Sequence, residues 1–144
     1  MMKKILLIST ALFASANIIA ADPVFTFGAK NQDSLADVWL DNGKVYSKND
    51  TNRRFCWQLK GFANDTDPVK LQLVITSPAK STFSFSGINS VDKTEHQFAL
   101  IIKPVNGTFL NCWKFDALDP LGKYTLKVNA NGVQYPLQTF ELKP

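Results

Sequence analysis

Arg53-Arg54-Phe55-Cys56-Trp57-Gln58-Leu59-Lys60-Gly61-Phe62 places Phe55, Trp57 and Leu59 on one side of an extended chain and Cys56, Gln58 and Lys60 on the other. That period-two alternation is the signature of a strand with one face in a core. The same rhythm recurs on both sides. Upstream, Val24-Phe25-Thr26-Phe27 alternates weakly and opens the domain. Asp37-Val38-Trp39-Leu40 and Lys44-Val45-Tyr46 flank Asp41-Asn42-Gly43, where Asn-Gly tolerates the positive φ of a tight hairpin turn. Downstream of the polar turn Asn64-Asp65-Thr66-Asp67-Pro68, Lys70 to Thr76 sets Leu71, Leu73 and Ile75 against Gln72 and Val74, and Pro78 is expected to end that strand. Ser81 to Ser86 carries Phe83 and Phe85 with serines opposite, as a half-solvated strand does. Gln97 to Lys103 is more continuously apolar, which predicts cover on both faces, and Pro104 stops or bends it. Asn106-Gly107 turns the chain into Thr108 to Phe115. Gly122 to Val128 and Val133 to Leu142 complete the set around a reversal at Asn129 to Gly132. Pro136 cannot donate to a ladder, so it is expected on an edge strand or at a bulge. About seven to nine short strands, with hardly a window of helical spacing, predict an all-β, two-sheet sandwich.

The chain begins with Met1, Met2, Lys3 and Lys4, an apolar run from Ile5 to Phe13 and a small-residue stretch from Ala14 to Ala21. A basic head, an apolar segment too brief to span a bilayer and alanines before Asp22-Pro23 fit a secretory signal peptide over residues 1–21, leaving 22–144 as one domain. Cleavage after Ala21 or Ala20 suits the pattern. Cleavage after Ala16 meets the small-residue rule better but leaves Asn17-Ile18-Ile19 on the new terminus. No cysteine follows these sites, so lipid anchoring is not expected, and no later run approaches membrane-spanning length. The expected address is the bacterial periplasm, with the external medium as the alternative. The sequons at Asn49, Asn64 and Asn106 matter only on a eukaryotic route and otherwise read as turns.

Two cysteines, Cys56 and Cys112, in an exported chain of this size predict one disulfide. A reactive thiol pair lacks support because there is no C-x-x-C spacing and no histidine nearby in sequence. The formal charge of +4 falls to about +2 without Lys3 and Lys4. Arg53-Arg54 is the only adjacent basic pair after the signal, so the scatter describes a solvated surface, not a nucleic-acid face.

Asp119-Pro120-Leu121-Gly122-Lys123-Tyr124-Thr125-Leu126 resembles the approach to the penultimate strand of immunoglobulin-like domains, where a Gly-x-Tyr turn places a tyrosine corner. The resemblance covers about the last quarter of the domain. It implies an immunoglobulin-like two-sheet sandwich in which the Tyr124 hydroxyl bonds back to nearby backbone. Leu126 stands where antibody domains carry their second cysteine, so their inter-sheet bridge is absent. A Cys56–Cys112 bond in such a fold links the second and fifth strands, neighbours in one sheet. Both cysteines precede a tryptophan, and alternation places Trp57 and Trp113 inside with the bridge on the outer side; a bulge would exchange the faces.

The inventory for catalysis is short. His96, the one histidine, sits in Asp92-Lys93-Thr94-Glu95-His96, which reads as a solvated polar turn before a strand. No Gly-x-Ser-x-Gly marks a nucleophile, although the members of a triad converge only in space. Zinc lacks ligands once the cysteines pair, and the clusters at Asp50–Asn52 and Asp65–Asp67 do not match a spaced calcium loop. Glu95 and Glu141 are the only glutamates, a poor start for a glycosidase pair. No cofactor, metal site or catalytic residue is expected.

The leading expectation is therefore a non-enzymatic, protein-binding module that recognises another envelope or secreted protein. A specific version is an inhibitor or immunity protein of an envelope enzyme or toxin, using a protruding loop at Asn64–Pro68 or Asp116–Leu121. The alternative is a structural or assembly component, such as a pilus-associated subunit or accessory chaperone domain. It would self-associate through an open edge at Val24–Phe27 or Val133–Leu142. A small hydrolase relying on His96 ranks last.

Overall fold

A computed structural model of the chain describes residues 21–32, 39 and 44–144. Residues 1–20, all but the last of the expected signal peptide, and all but Trp39 of the segment Asp37–Gly43 lie outside the described residues. Among those described there is no helix, and nine strands form two sheets. The smaller has three strands in the order β1 (Val24–Asn31), β3 (Arg53–Lys60), β6 (Thr108–Trp113). The larger runs β2 (Val45–Ser47), β9 (Gln138–Lys143), β7 (Gly122–Ala130), β4 (Val69–Phe85), β5 (Ile88–Ile102), with β8 (Val133–Gln134) paired to β7. This is the expected all-β two-sheet sandwich. Of the expected hairpin around Asn42-Gly43, the described arm is β2, and it pairs in parallel with β9.

The core follows the alternation. Phe55, Trp57 and Leu59 of β3 face Leu71, Leu73 and Ile75 of β4 and Tyr124, Leu126 and Val128 of β7, all fully buried or nearly so. Phe27 and Phe55 of one sheet meet Phe140 of the other, with ring centroids 5.7 and 4.4 Å apart. Each large side chain removed from water contributes about 1.5–3 kcal/mol, and aromatic pairs add roughly 0.5–1.5 kcal/mol beyond their area. The Tyr135 hydroxyl donates to the Pro23 carbonyl at 2.9 Å and pins the start of β1.

Cys56 lies opposite Cys112 in the β3–β6 ladder, and the two form the expected disulfide. The bond joins neighbours in one sheet, as the resemblance implied. The strands are third and sixth in chain order, not second and fifth, because the short β2 precedes β3. Phe55 opposes Trp113 and Trp57 opposes Asn111, so both tryptophans turn inward and the bridge lies on the outer side. The tyrosine corner is formed too, since the Tyr124 hydroxyl donates to the Pro120 carbonyl at 2.6 Å.

Four expectations are corrected. Pro78 does not end a strand: β4 runs unbroken for 17 residues, and the irregular register between Thr76 and Ser81 absorbs the missing N–H. Pro78 instead packs on Gly122, whose φ of +132° and lack of a Cβ allow the approach; a Cβ there would lie 3.0 Å from the Pro78 ring. Residues 92–96 are not a turn but part of β5, and Asp92 takes up the irregularity with a φ of 55°. The true turn is Ser86-Gly87, with both φ values positive as a tight hairpin requires. Gln97 to Lys103 is covered on one face only: Phe98 and Ile102 are buried against the core, while Gln97, Ala99, Ile101 and Lys103 on the opposite face are exposed. The segment Val133–Leu142 is not one edge strand. It breaks at Tyr135–Leu137, where Pro136 sits, and its second half lies between β7 and β2. Val24–Phe27, by contrast, does belong to an edge strand among the described residues.

Removing the bridge, by Cys56→Ser with Cys112→Ser or by reductant, frees a loop of 56 residues and is expected to cost about 4 kcal/mol at most in urea unfolding. Tyr124→Phe leaves the Pro120 carbonyl without its donor and is expected to cost about 1–2 kcal/mol by the same assay, with no change in denaturant slope.

Candidate functional site

Two candidate loops lie at opposite ends of the β3–β6 pair, because Lys60 opposes Thr108 at one end and Phe55 opposes Trp113 at the other. The Asn64–Pro68 loop is a brace. The Asn64 side-chain oxygen accepts from the Thr66 and Asp67 N–H groups at 3.0 and 2.8 Å. The Asp65 carboxylate accepts from the Asn106 and Gly107 N–H groups, both at 2.7 Å, tying this loop to the next turn. The polar side chains of the loop are engaged in holding two turns together, and it presents no large apolar residue.

The Asp116–Leu121 loop differs. The Asp119 carboxylate accepts from the Asp116 N–H and the Asp116 carboxylate from the Leu118 N–H, both at 2.7 Å. Burial holds the Asp119 carboxyl above its ordinary range, although the Asp116 N–H pulls the other way. Lys48 Nζ donates to the Ala117 carbonyl at 3.1 Å, and Tyr124 secures Pro120 from beneath. Burial of that hydroxyl raises its pKa well beyond the ordinary phenol range, so it stays a donor. The loop is thus fixed by its own aspartates, and what it carries outward is Leu118, 90% exposed, with Leu121 half-exposed behind it. A rigid loop that spends its polar groups on itself and presents a leucine has paid the ordering cost of contact in advance.

Two depressions lie near: the first reaches only Phe115, just before the loop, and the second includes Leu118 itself. One, of about 320 Å³, opens between β2 and the β3–β6 end, floored by Tyr46, Phe55, Trp113 and Phe115 with Arg53 and Lys143 at the rim. Arg53 Nε lies 3.0 Å from the Asp50 carboxylate, a partner the sequence grouped only with a possible calcium cluster. The other, of about 490 Å³, is polar and lined by Lys80, Ser81, Asp92, Asp116, Leu118 and Asp119. Among the described residues, no three His, Cys, Asp or Glu side chains converge on a metal-sized site.

His96 is a correction. It is fully buried in β5, not in a solvated loop, because it shares the inward parity of Phe98 and Ile102. Its Nε2 shares a hydrogen bond of 3.0 Å with the Ser81 hydroxyl and its Nδ1 one of 2.9 Å with the Ser90 hydroxyl. Ser81 donates onward to Ser77, whose hydroxyl donates to the Ala79 carbonyl at 2.7 Å. The Phe83 ring packs edge-on, 4.8 Å away. The group that orients the imidazole is therefore a serine and not a carboxylate. Desolvation lowers the His96 pKa from its ordinary 6.5, against the raising effect of the Lys93 and Ser90 backbone.

A lowered folded pKa means that the unfolded chain takes up the proton first. The contribution of His96 is complete above the ordinary value of 6.5 and is lost as pH falls from there towards the folded pKa. Thermal midpoints are expected to be flat above neutrality and to fall as the pH drops below about 6.5, with His96→Gln removing that part of the slope. A wild-type profile no steeper than the variant's in this window would contradict it.

The fold has counterparts among solved proteins. The chain is similar to an immunoglobulin-like protein, PA1606, from Pseudomonas aeruginosa, at 16% identity and a TM-score of 0.52, covering 85% of this chain and 94% of that one. A weaker likeness, with a TM-score of 0.42 and 11% identity, is to the Pseudomonas fluorescens alkylpurine DNA glycosylase AlkC bound to DNA containing an abasic site analogue. It covers 86% of this chain and 31% of that one. No curated protein matches the chain in sequence. The family model of the PM0630 beta sandwich domain matches residues 25–143, and the chain belongs to that family.

Proposed function

We propose that this immunoglobulin-like domain is an exported, non-enzymatic binding module that recognises another envelope or secreted protein through the end of the sandwich built on Asp116–Leu121. The observation that carries the reading is Leu118, held 90% exposed on a braced loop whose aspartates Asp116 and Asp119 line a depression with it. An apolar side chain held out by backbone that is already fixed loses little conformational freedom when it is buried against a partner. The specific version is an inhibitor or immunity protein, with the loop inserted into the cleft of an enzyme or toxin.

Export rests on the basic-then-apolar leader and on a disulfide that cytoplasmic thiols would keep reduced. No helix among the described residues is long and apolar enough to cross a membrane. The non-enzymatic reading draws on His96, whose two ring nitrogens are both taken by serines. A structural or assembly role has its own support in β1, which pairs with β3 alone among the described residues.

The test is capture from native envelope extracts on the immobilised oxidised protein, with wild type and Leu118→Asp in parallel. A stoichiometric partner is expected on the wild type, with affinity falling at least about tenfold in the variant at unchanged thermal stability. Binding that ignores the Leu118 substitution, or the absence of any partner, would sink this reading.

A further inference from the structure

β5 is the last strand of its sheet: it pairs with β4, and among the described residues nothing pairs with its other side. Its two halves differ. From Ile88 to Lys93 the ladder is broken by register shifts and by the positive φ of Asp92, which turns the backbone out of line. From Glu95 to Ile102 the register against Val69–Thr76 is uninterrupted, so a straight row of outward backbone donors and acceptors is on offer.

The outer-face residues of this half are Glu95, Gln97, Ala99 and Ile101, and Lys103 follows one residue past the end of the strand with the same parity, all exposed. They read differently when the strand meets a copy of itself. An antiparallel pair about a two-fold axis through Ala99 sets Glu95 opposite Lys103 of the second copy and, by symmetry, Lys103 opposite its Glu95. Gln97 then faces Ile101, and the small Ala99 meets itself where the axis passes. Centring on Phe98 would set Lys93 against Lys103, and centring on Gln97 would leave Glu95 against Ala99. Centring on Thr94 also opposes Lys93 and Glu95, but it lies across the broken register. Only the Ala99 register uses the straight half and pairs opposite charges directly across the strands, where they attract and like charges repel.

We infer that a second copy of this chain docks along Glu95–Lys103, joining the two larger sheets into one continuous sheet. The interaction is self-complementary, as two-fold association requires. It is also small, one strand per copy, so the dimer is weak and forms on the order of 0.1 mM.

The test is sedimentation velocity of the purified oxidised protein over a concentration series, for wild type, Glu95→Lys, Lys103→Glu and the double variant. Both substitution sites are exposed, and circular dichroism verifies each fold. Wild type is expected to dimerise. Each single variant places like charges opposite one another twice and is expected to weaken the dimer by about tenfold or more, and the double variant to restore it to within about threefold. A monomer up to about 1 mM, a dimer indifferent to the single changes, or a folded double variant that does not recover would overturn the proposal. Two singly substituted chains that fail to fold would leave the wild-type and double-variant series to decide, since a double variant weaker than wild type by tenfold also overturns it.

Discussion

Phe140 is the point at which the two sheets lock. Its ring stacks on Tyr124 at 5.2 Å within its own sheet and meets Phe55 across the interface at 4.4 Å. Other features depend on those three rings. Phe55 fixes the facing of β3, and with it the side on which Cys56 emerges to meet Cys112. Tyr124 reaches back to Pro120 and sets the root of the loop that carries Leu118 outward. Phe115, at the start of the same loop, packs on Phe55, Tyr124 and Phe140 together. The exposed leucine is therefore supported from the centre of the core, which holds its loop in one place on an otherwise ordinary sandwich.

Much of this was legible because one-sided burial leaves a period-two mark. Phe55, Trp57 and Leu59 announce the core face of β3, and the Gly-x-Tyr turn announces the corner. The failures came where a local signal conflicted with tertiary context. Pro78 reads as a terminator, yet the register slip and the absence of a Cβ at Gly122 give the ring a place without ending the strand. Asp92 to Glu95 reads as a turn by polarity, but a strand at the edge of a sheet shows its outer face to water and can be polar there. His96 has the parity of Phe98, Leu100 and Ile102. That alternation was available and was outweighed by the charged run before it. The serines that complete its environment come from β4 and from earlier in β5, so nothing local in sequence could have assembled them.

The candidate site was half legible. Asp116–Leu121 was visible as a polar loop with two leucines, and its aspartates were readable as turn formers. The aromatic-floored depression that reaches Phe115 was not, because Tyr46, Arg53, Trp113 and Lys143 come from four separate strands. Asn64–Pro68 is equivalent in composition, and only the Asp65 bonds to Asn106 and Gly107 reveal it as a brace between two turns.

The break in the β4–β5 ladder divides the molecule in a way that matters for function. Beyond it, the distal half of the hairpin brings Phe83 and Phe85 onto Trp113, and the Trp113 indole donates to the Ser84 carbonyl at 3.1 Å. That half is committed to closing the sandwich, and its Asp92 borders the Leu118 loop. Before the break, β5 is straight and its outer edge is unused among the described residues. A sheet with a long open edge is usually protected by charge or irregularity along its length. Here the irregularity protects only one half, and the other is marked by Glu95 at one end and Lys103 at the other, a charge placement that discourages indiscriminate pairing while permitting a single register. The same bulge that seats His96 among its serines thus separates a face engaged in the core from an edge left open to a partner.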